Sequence, residues 1–166
     1  MKKRIFRIAV VFSLGVLITG IASAQGGAKK GPEVNRDPDM ETEAKHNLEV
    51  ARQYFKLRKA YVASLQRCEE VLAANPAYSR IDEILYIAGK SSLNLAEGKG
   101  KQKPDQYVIH DGDKKVTLTA DEFRDKARDY LSQLVNSYPQ STFRAEAEGD
   151  LKGLGGAKPK AASPER

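Results

Sequence analysis

Apolar residues recur at helical spacing through the middle of the chain, in five separate runs. Ala44, Leu48, Ala51 and Phe55 make the first stripe; Tyr61, Leu65, Cys68, Val71 and Leu72 make the second. Ile81, Leu85, Ala88, Ser92 and Leu95 make the third. The fourth runs Phe123, Ala127, Leu131, Leu134, Val135 and Tyr138, and the fifth Phe143, Ala147, Leu151 and Leu154. Five amphipathic helices of ordinary length are predicted. The punctuation agrees with them. Asn75-Pro76 and Tyr138-Pro139 end the second and fourth helices, because a residue before proline is pushed out of helical geometry. Thr119-Ala120-Asp121-Glu122 spells a capping box for the fourth helix, and Ser79 and Ser141 are the expected N-caps of the third and fifth.

One stretch breaks the period. Residues 97–104 (EGKGKQKP) will not be crossed by a helix, and residues 107–118 (YVIHDGDKKVTL) are two β-prone runs around a Gly-Asp centre. A turn at Gly112-Asp113 sets Ile109 opposite Val116 and Tyr107 opposite Leu118. A turn at Asp111-Gly112 would set Ile109 against Lys114, so apolar pairing favours the first register. The insert, residues 97–119, is expected to stand outside the helical stack. Residues 25–39 and 155–166 are rich in Gly, Pro, Ala and charge without apolar period, which predicts a flexible segment before the domain (40–154) and a disordered tail after it.

Setting Pro139 under Pro76 superposes the ends of two helices sixty-three positions apart. Val71-Leu72 then meets Leu134-Val135, Cys68 meets Leu131 and Ser64 meets Ala127, which reads as an internal repeat of helix pairs with the hairpin inserted in the second copy. These residues resemble the tetratricopeptide repeat, a unit of about 34 residues. Leu48, Ala51, Phe55, Tyr61, Ser64, Cys68, Val71 and Pro76 fit its first copy, and Ala88-Gly89 takes the Leu-Gly place in the second. Arg52 departs from it, standing where Gly or Ala is usual. The longer spacing after Pro76, with Leu134-Val135-Asn136-Ser137-Tyr138-Pro139-Gln140-Ser141, is similar to the repeats of BamD-type outer-membrane assembly lipoproteins and of periplasmic Tol-Pal accessory proteins. The resemblance implies an all-α superhelical array of antiparallel helix pairs, about five helices in all, carrying a small β-hairpin.

The start of the chain has its own pattern. Lys2, Lys3, Arg4 and Arg7 precede an apolar stretch from Ile8 to about Ile21, and Ala22-Ser23-Ala24 precedes Gln25, the form of a secretory signal peptide (1–24) cleaved after Ala24. No lipobox cysteine follows the cleavage point, which argues against a true BamD equivalent. A periplasmic or secreted product with no integral membrane span is expected. Without the four basic residues of the leader, 24 Lys and Arg face 22 Asp and Glu, so the net charge of +6 falls to about +2. Such balance argues against a nucleic-acid-tracking surface.

Candidate chemistry is sparse. The one cysteine and two histidines have no recurring ligand spacing, so neither a metal site nor a cofactor is expected. Asp111-Gly112-Asp113 reads as a turn rather than a calcium loop, and Cys68 as a small core residue. A non-enzymatic protein-interaction module of the bacterial envelope is therefore expected, binding a segment of an envelope protein on the first helices of each pair. The repeat pattern puts His46, Glu49, Gln53 and Lys56 on that face from the first helix, and Glu83, Tyr86, Lys90, Leu93 and Asn94 from the third. Gln53, Lys56, Tyr86, Lys90, Leu93 and Asn94 are the expected partner contacts, with Tyr86 and Leu93 as anchors. An oligomerising structural subunit and, further off, an accessory subunit of an envelope enzyme are the alternatives, and the insert competes with the groove as the binding surface. Export has a direct check: protein recovered from its native host should have the intact mass of a chain beginning at Gln25 without lipid.

Overall fold

The stripes fold as helices, and the irregular stretch as a hairpin. The computed structural model describes residues 37–112 and 114–160; the leader, residues 25–36 and the last part of the expected tail, 161–166, lie outside them. Within the described residues run α1 (Pro38–Arg52), α2 (Tyr61–Ala74), α3 (Ile81–Ala96), β1 (Val108–Asp111), β2 (Lys114–Thr117), α4 (Ala120–Ser137) and α5 (Arg144–Gly153). The chain is thus mostly helical with one small antiparallel sheet. Helix α1 starts before residue 40 because Asp37 caps it, accepting from the Asp39 N–H at 2.9 Å, and Pro38 tolerates the first helical position. At its far end α1 loosens into a π turn, Gln53–Arg58, closed by Lys59 in the left-handed region at φ 51°. The capping box on α4 forms as expected. Ser79 is not a cap, while Ser141 Oγ accepts from the Phe143 N–H at 3.2 Å just ahead of α5. Arg80 and Phe143 occupy the N-cap positions without side-chain bonds. The serine hydroxyls donate to carboxylates on other helices, Ser79 to Glu41 at 2.8 Å and Ser141 to Asp82 at 2.7 Å. A charged acceptor makes the stronger bond.

Successive helices pack in chain order, with α3 in the middle. Its Ile81, Ile84, Ile87 and Leu95 join Leu48, Leu65, Cys68 and Val71 in one core cluster, while Leu85 joins Leu131, Leu134 and Leu151 in another. The positions matched by the sixty-three-residue offset are buried on both helices: Ser64, Cys68 and Val71 on α2, Ala127, Leu131 and Leu134 on α4. Gly89 is what lets α3 approach α4. A Cβ there would lie 2.6 Å from Leu131 Cγ. On the other side α2 reaches α1 through Ser64, whose hydroxyl donates to the Ala51 carbonyl at 3.1 Å.

The hairpin has the expected register, Ile109 opposite Val116 and Asp111 opposite Lys114, with Gly112 at φ 58° in the turn. Its base does not stand outside the stack. Tyr107 is buried edge-on against Phe123, ring centroids 5.5 Å apart, and its hydroxyl donates to Glu69 at 2.8 Å. Tyr130 donates to the same carboxylate at 2.8 Å, and Lys126 pairs with it at 2.7 Å. Burial pushes both phenols above their ordinary range, and the neighbouring Glu69 charge adds to the effect. The loop before it is tied down too: the Lys101 N–H donates to the Lys59 carbonyl at 2.9 Å, and the Ala63 N–H to Gln102 Oε1 at 3.0 Å. Only the distal strands project, with Ile109 and Val116 exposed. A tyrosine's apolar area outweighs the cost of ordering the loop that carries it, provided its hydroxyl is satisfied.

The expected tail is also partly ordered. Arg128 donates to the carbonyls of Gly156 (2.7 Å) and Gly155 (3.1 Å), and the Lys158 N–H donates to Ser132 Oγ at 2.8 Å. Asn136 reaches the Lys158 carbonyl at 2.9 Å. Backbone groups recognised by α4 side chains hold residues 155–158 where no apolar period asks for them. The Glu69 clamp makes a measurable difference between two insert residues. Tyr107→Ala should cost about 3–5 kcal/mol in chemical denaturation, whereas Ile109→Ala on the exposed strand should cost less than about 1 kcal/mol.

Candidate functional site

The expected binding face draws on α1 and α3, and side chains of α3 bond the segment of α5. From α1 and its π turn, His46, Glu49, Gln53 and Lys56 all stand exposed. The α3 residues are more deeply engaged. Glu83, expected to line the face, is buried instead, because Arg52 clasps it in a two-point contact (Nε 2.6 Å, Nη2 2.7 Å) and Arg80 adds a third bond. The carboxylate holds the Arg52 guanidinium above its ordinary pKa, against the opposing effect of burial. Arg52 thus carries an ion pair between α1 and α3.

Tyr86 is half-buried, its ring stacked on Phe143 with centroids 4.7 Å apart and planes 20° apart. Burial raises its phenol above the usual range, and a hydrogen bond to Glu146 raises it further. One turn along, Lys90 donates to both oxygens of Asp150 at 2.8 and 3.0 Å and lies 3.5 Å from Glu146. Asn94 donates to the Lys90 carbonyl at 2.8 Å, and Leu93 is half-buried beside it. Tyr86 and Lys90 therefore form a strip bonded to α5, while Gln53 and Lys56 face solvent on the π turn.

Comparison with protein-family models, curated proteins and solved structures found no match. The chemistry of the face is consequently read from its own side chains. Among the described residues no group of three or more His, Cys, Asp or Glu could hold a metal ion. His46 and His110 lie on separate elements, both exposed. Cys68 is fully buried, and burial raises its thiol pKa so that it stays protonated. Stacking, a two-point cation contact and amide hydrogen bonds are the means available on this side.

Sequence reasoning missed the partners at the start of α5 and on it: Phe143, Glu146 and Asp150. One signal was present, since Glu146 and Asp150 are four apart and so share a helix face. Nothing in the sequence says that this face meets Lys90. The Lys90–Asp150 pair, both side chains about one-fifth exposed at 20% and 19%, should dock α5 measurably. Each alanine substitution is expected to cost about 1–2 kcal/mol. The double mutant should recover roughly 1 kcal/mol of coupling in a thermodynamic cycle read by urea unfolding.

Proposed function

We propose that the chain is a non-enzymatic protein-interaction module of the cell envelope, a short tetratricopeptide-like array that binds a segment of a partner protein along α1, α3 and α5. The observation that carries this reading is the linking of alternate helices. Arg52 of α1 bonds Glu83 of α3, and Lys90 of α3 bonds Asp150 of α5. These bonds support a common side for the odd-numbered helices, which in stacked helix pairs builds an extended binding surface. In it Gln53 and Lys56 supply exposed polar contacts, Leu93 an apolar one and Asn94 an amide. Tyr86 and Lys90 act by fixing α5. The envelope location rests on the leader pattern of residues 1–24, and no described helix is long and apolar enough to cross a membrane.

The α1/α2 end supports a second reading. An open groove of about 490 Å³ there is lined by Met40, Ala44 and Val71 among others, at the side where the array stops. A second copy seated on it would make the chain an oligomerising subunit. Two measurements separate the readings. In capture from native envelope extract, Leu93→Ala and Lys56→Glu should each weaken retention of the partner roughly tenfold or more, with Tm nearly unchanged. Unimpaired capture by both variants, with loss on Ile109→Asp, would move binding to the hairpin. A dimer in sedimentation that Met40→Asp returns to monomer would favour the oligomer.

A further inference from the structure

Two basic runs that are far apart in the sequence meet at one end of the helical stack. The first is Lys56-Leu57-Arg58-Lys59, in and after the π turn; the second is the Lys99–Lys103 loop that leaves α3. The Lys101 N–H donates to the Lys59 carbonyl at 2.9 Å, and the loop lies so close that a Cβ on Gly100 would sit 2.5 Å from the same oxygen. Gln102 fixes the next residue by accepting from the Ala63 N–H. The junction is held by backbone contacts, so the cations are brought together by the fold itself.

Their side chains remain open. Lys56, Arg58, Lys59, Lys101 and Lys103 are all exposed. None of them makes an ion pair among the described residues. Arg58 lies over the Tyr54 ring, 5.6 Å from its centroid. Of the acids beside these runs in the sequence, Glu97 pairs with Lys99, and the exposed Asp105 makes no ion pair among the described residues. In the middle of the cations stands Leu57, 79% exposed, the most exposed large apolar side chain among the described residues. Cations at helix C-termini offset the helix dipole, but that role does not call for an apolar side chain held out in water among them.

We infer that this end of the molecule is a peripheral docking surface for an anionic lipid bilayer. The lysines and Arg58 engage headgroup phosphates, and Leu57 enters the interface between headgroups and acyl chains. Anionic headgroups attract each basic side chain near the surface, and an apolar side chain beside them adds the hydrophobic part of interfacial binding. A soluble polyanion would use the charges but leave Leu57 without a role. The lysine spacing alone does not create the surface; the seating of the Lys99–Lys103 loop against Lys59 does. Lys56 stands at its border with the protein-binding face proposed above, and no other residue is shared.

The chain contains no tryptophan, so Leu57→Trp places a single fluorophore at the contact, and the exposed side chain it replaces makes misfolding easy to exclude by the helical spectrum. The full chain carrying this substitution is mixed with vesicles of phosphatidylcholine alone or with phosphatidylglycerol added. Emission of the L57W variant should shift to the blue and be quenched by brominated acyl chains only with the anionic vesicles, and salt should reverse it. Adding Lys101→Ala and Lys103→Ala should weaken partition about 10- to 30-fold. The same fluorophore introduced by Val116→Trp on the hairpin should not shift. The inference is overturned if emission of the L57W variant remains that of a water-exposed indole while the chain sediments with vesicles, which would assign binding to another segment. It is also overturned if neutral vesicles give the same shift, or if heparin binds at this end and anionic vesicles do not.

Discussion

Helix α3 is buried on nearly every side, and the rest of the structure is arranged around that constraint. Eleven of its sixteen residues are buried, so other elements must enclose it, and α2 and α4 do this from either flank, α4 so closely that Gly89 has no room for a side chain. Enclosure then requires that the polar residues of α3 be satisfied inside the protein. Asp82 accepts from Ser141, Glu83 from Arg52 and Arg80, and Lys90 donates to Asp150. The bonds to Ser141, Arg52 and Asp150 each tie another segment to α3. Ser92 bonds back to the Ala88 carbonyl, and Ser91 Oγ alone among the described buried side-chain atoms has no partner.

The Glu69 cluster does for the insert what the α3 bonds do for α1 and α5. One carboxylate on α2 gathers two tyrosine hydroxyls and a lysine, from the insert and from α4. Lys126 also lies over both aromatic rings, at 5.6 Å from that of Tyr107 and 5.5 Å from that of Tyr130. A half-buried carboxylate without such partners would be costly, and with them it fixes the position of the loop that carries Tyr107. The insert is therefore fastened at its base and free at its tip. Because the same loop also rests on Lys59, its seating determines where its lysines stand.

Near charge balance over residues 25–166 conceals this local separation. Acids are engaged on α3, on helix starts and in the pairs that hold α5, leaving the cations of the π turn and the Lys99–Lys103 loop together at one end. Net charge describes the average field of a protein and not the distribution on its faces. The proposed partner-binding face and the proposed lipid-docking end use different parts of the same α1 and π-turn segment, with Lys56 at their boundary.

Helix number and place, the ends at Asn75 and Tyr138, the Thr119 capping box and the hairpin register were all legible in the sequence. Those features arise from short-range causes: the 3.6-residue period, proline sterics, cap hydrogen bonds and apolar pairing across a two-residue turn. The candidate face was legible only as a set of positions. Tertiary structure alone decided that Glu83 is buried under Arg52, that Tyr86 and Lys90 bind α5, that Tyr107 belongs to the core, and that residues 155–158 lie along α4. It also decided that Ser79 bonds Glu41 of α1 rather than capping α3, and that Ser141 bonds Asp82 of α3 as well as the start of α5. Apart from the last of these bonds, each is a contact between side chains distant in the chain, and a polar side chain takes the strongest partner that packing brings within reach. Sequence spacing describes what each segment prefers by itself, and it carries no record of which neighbour arrives.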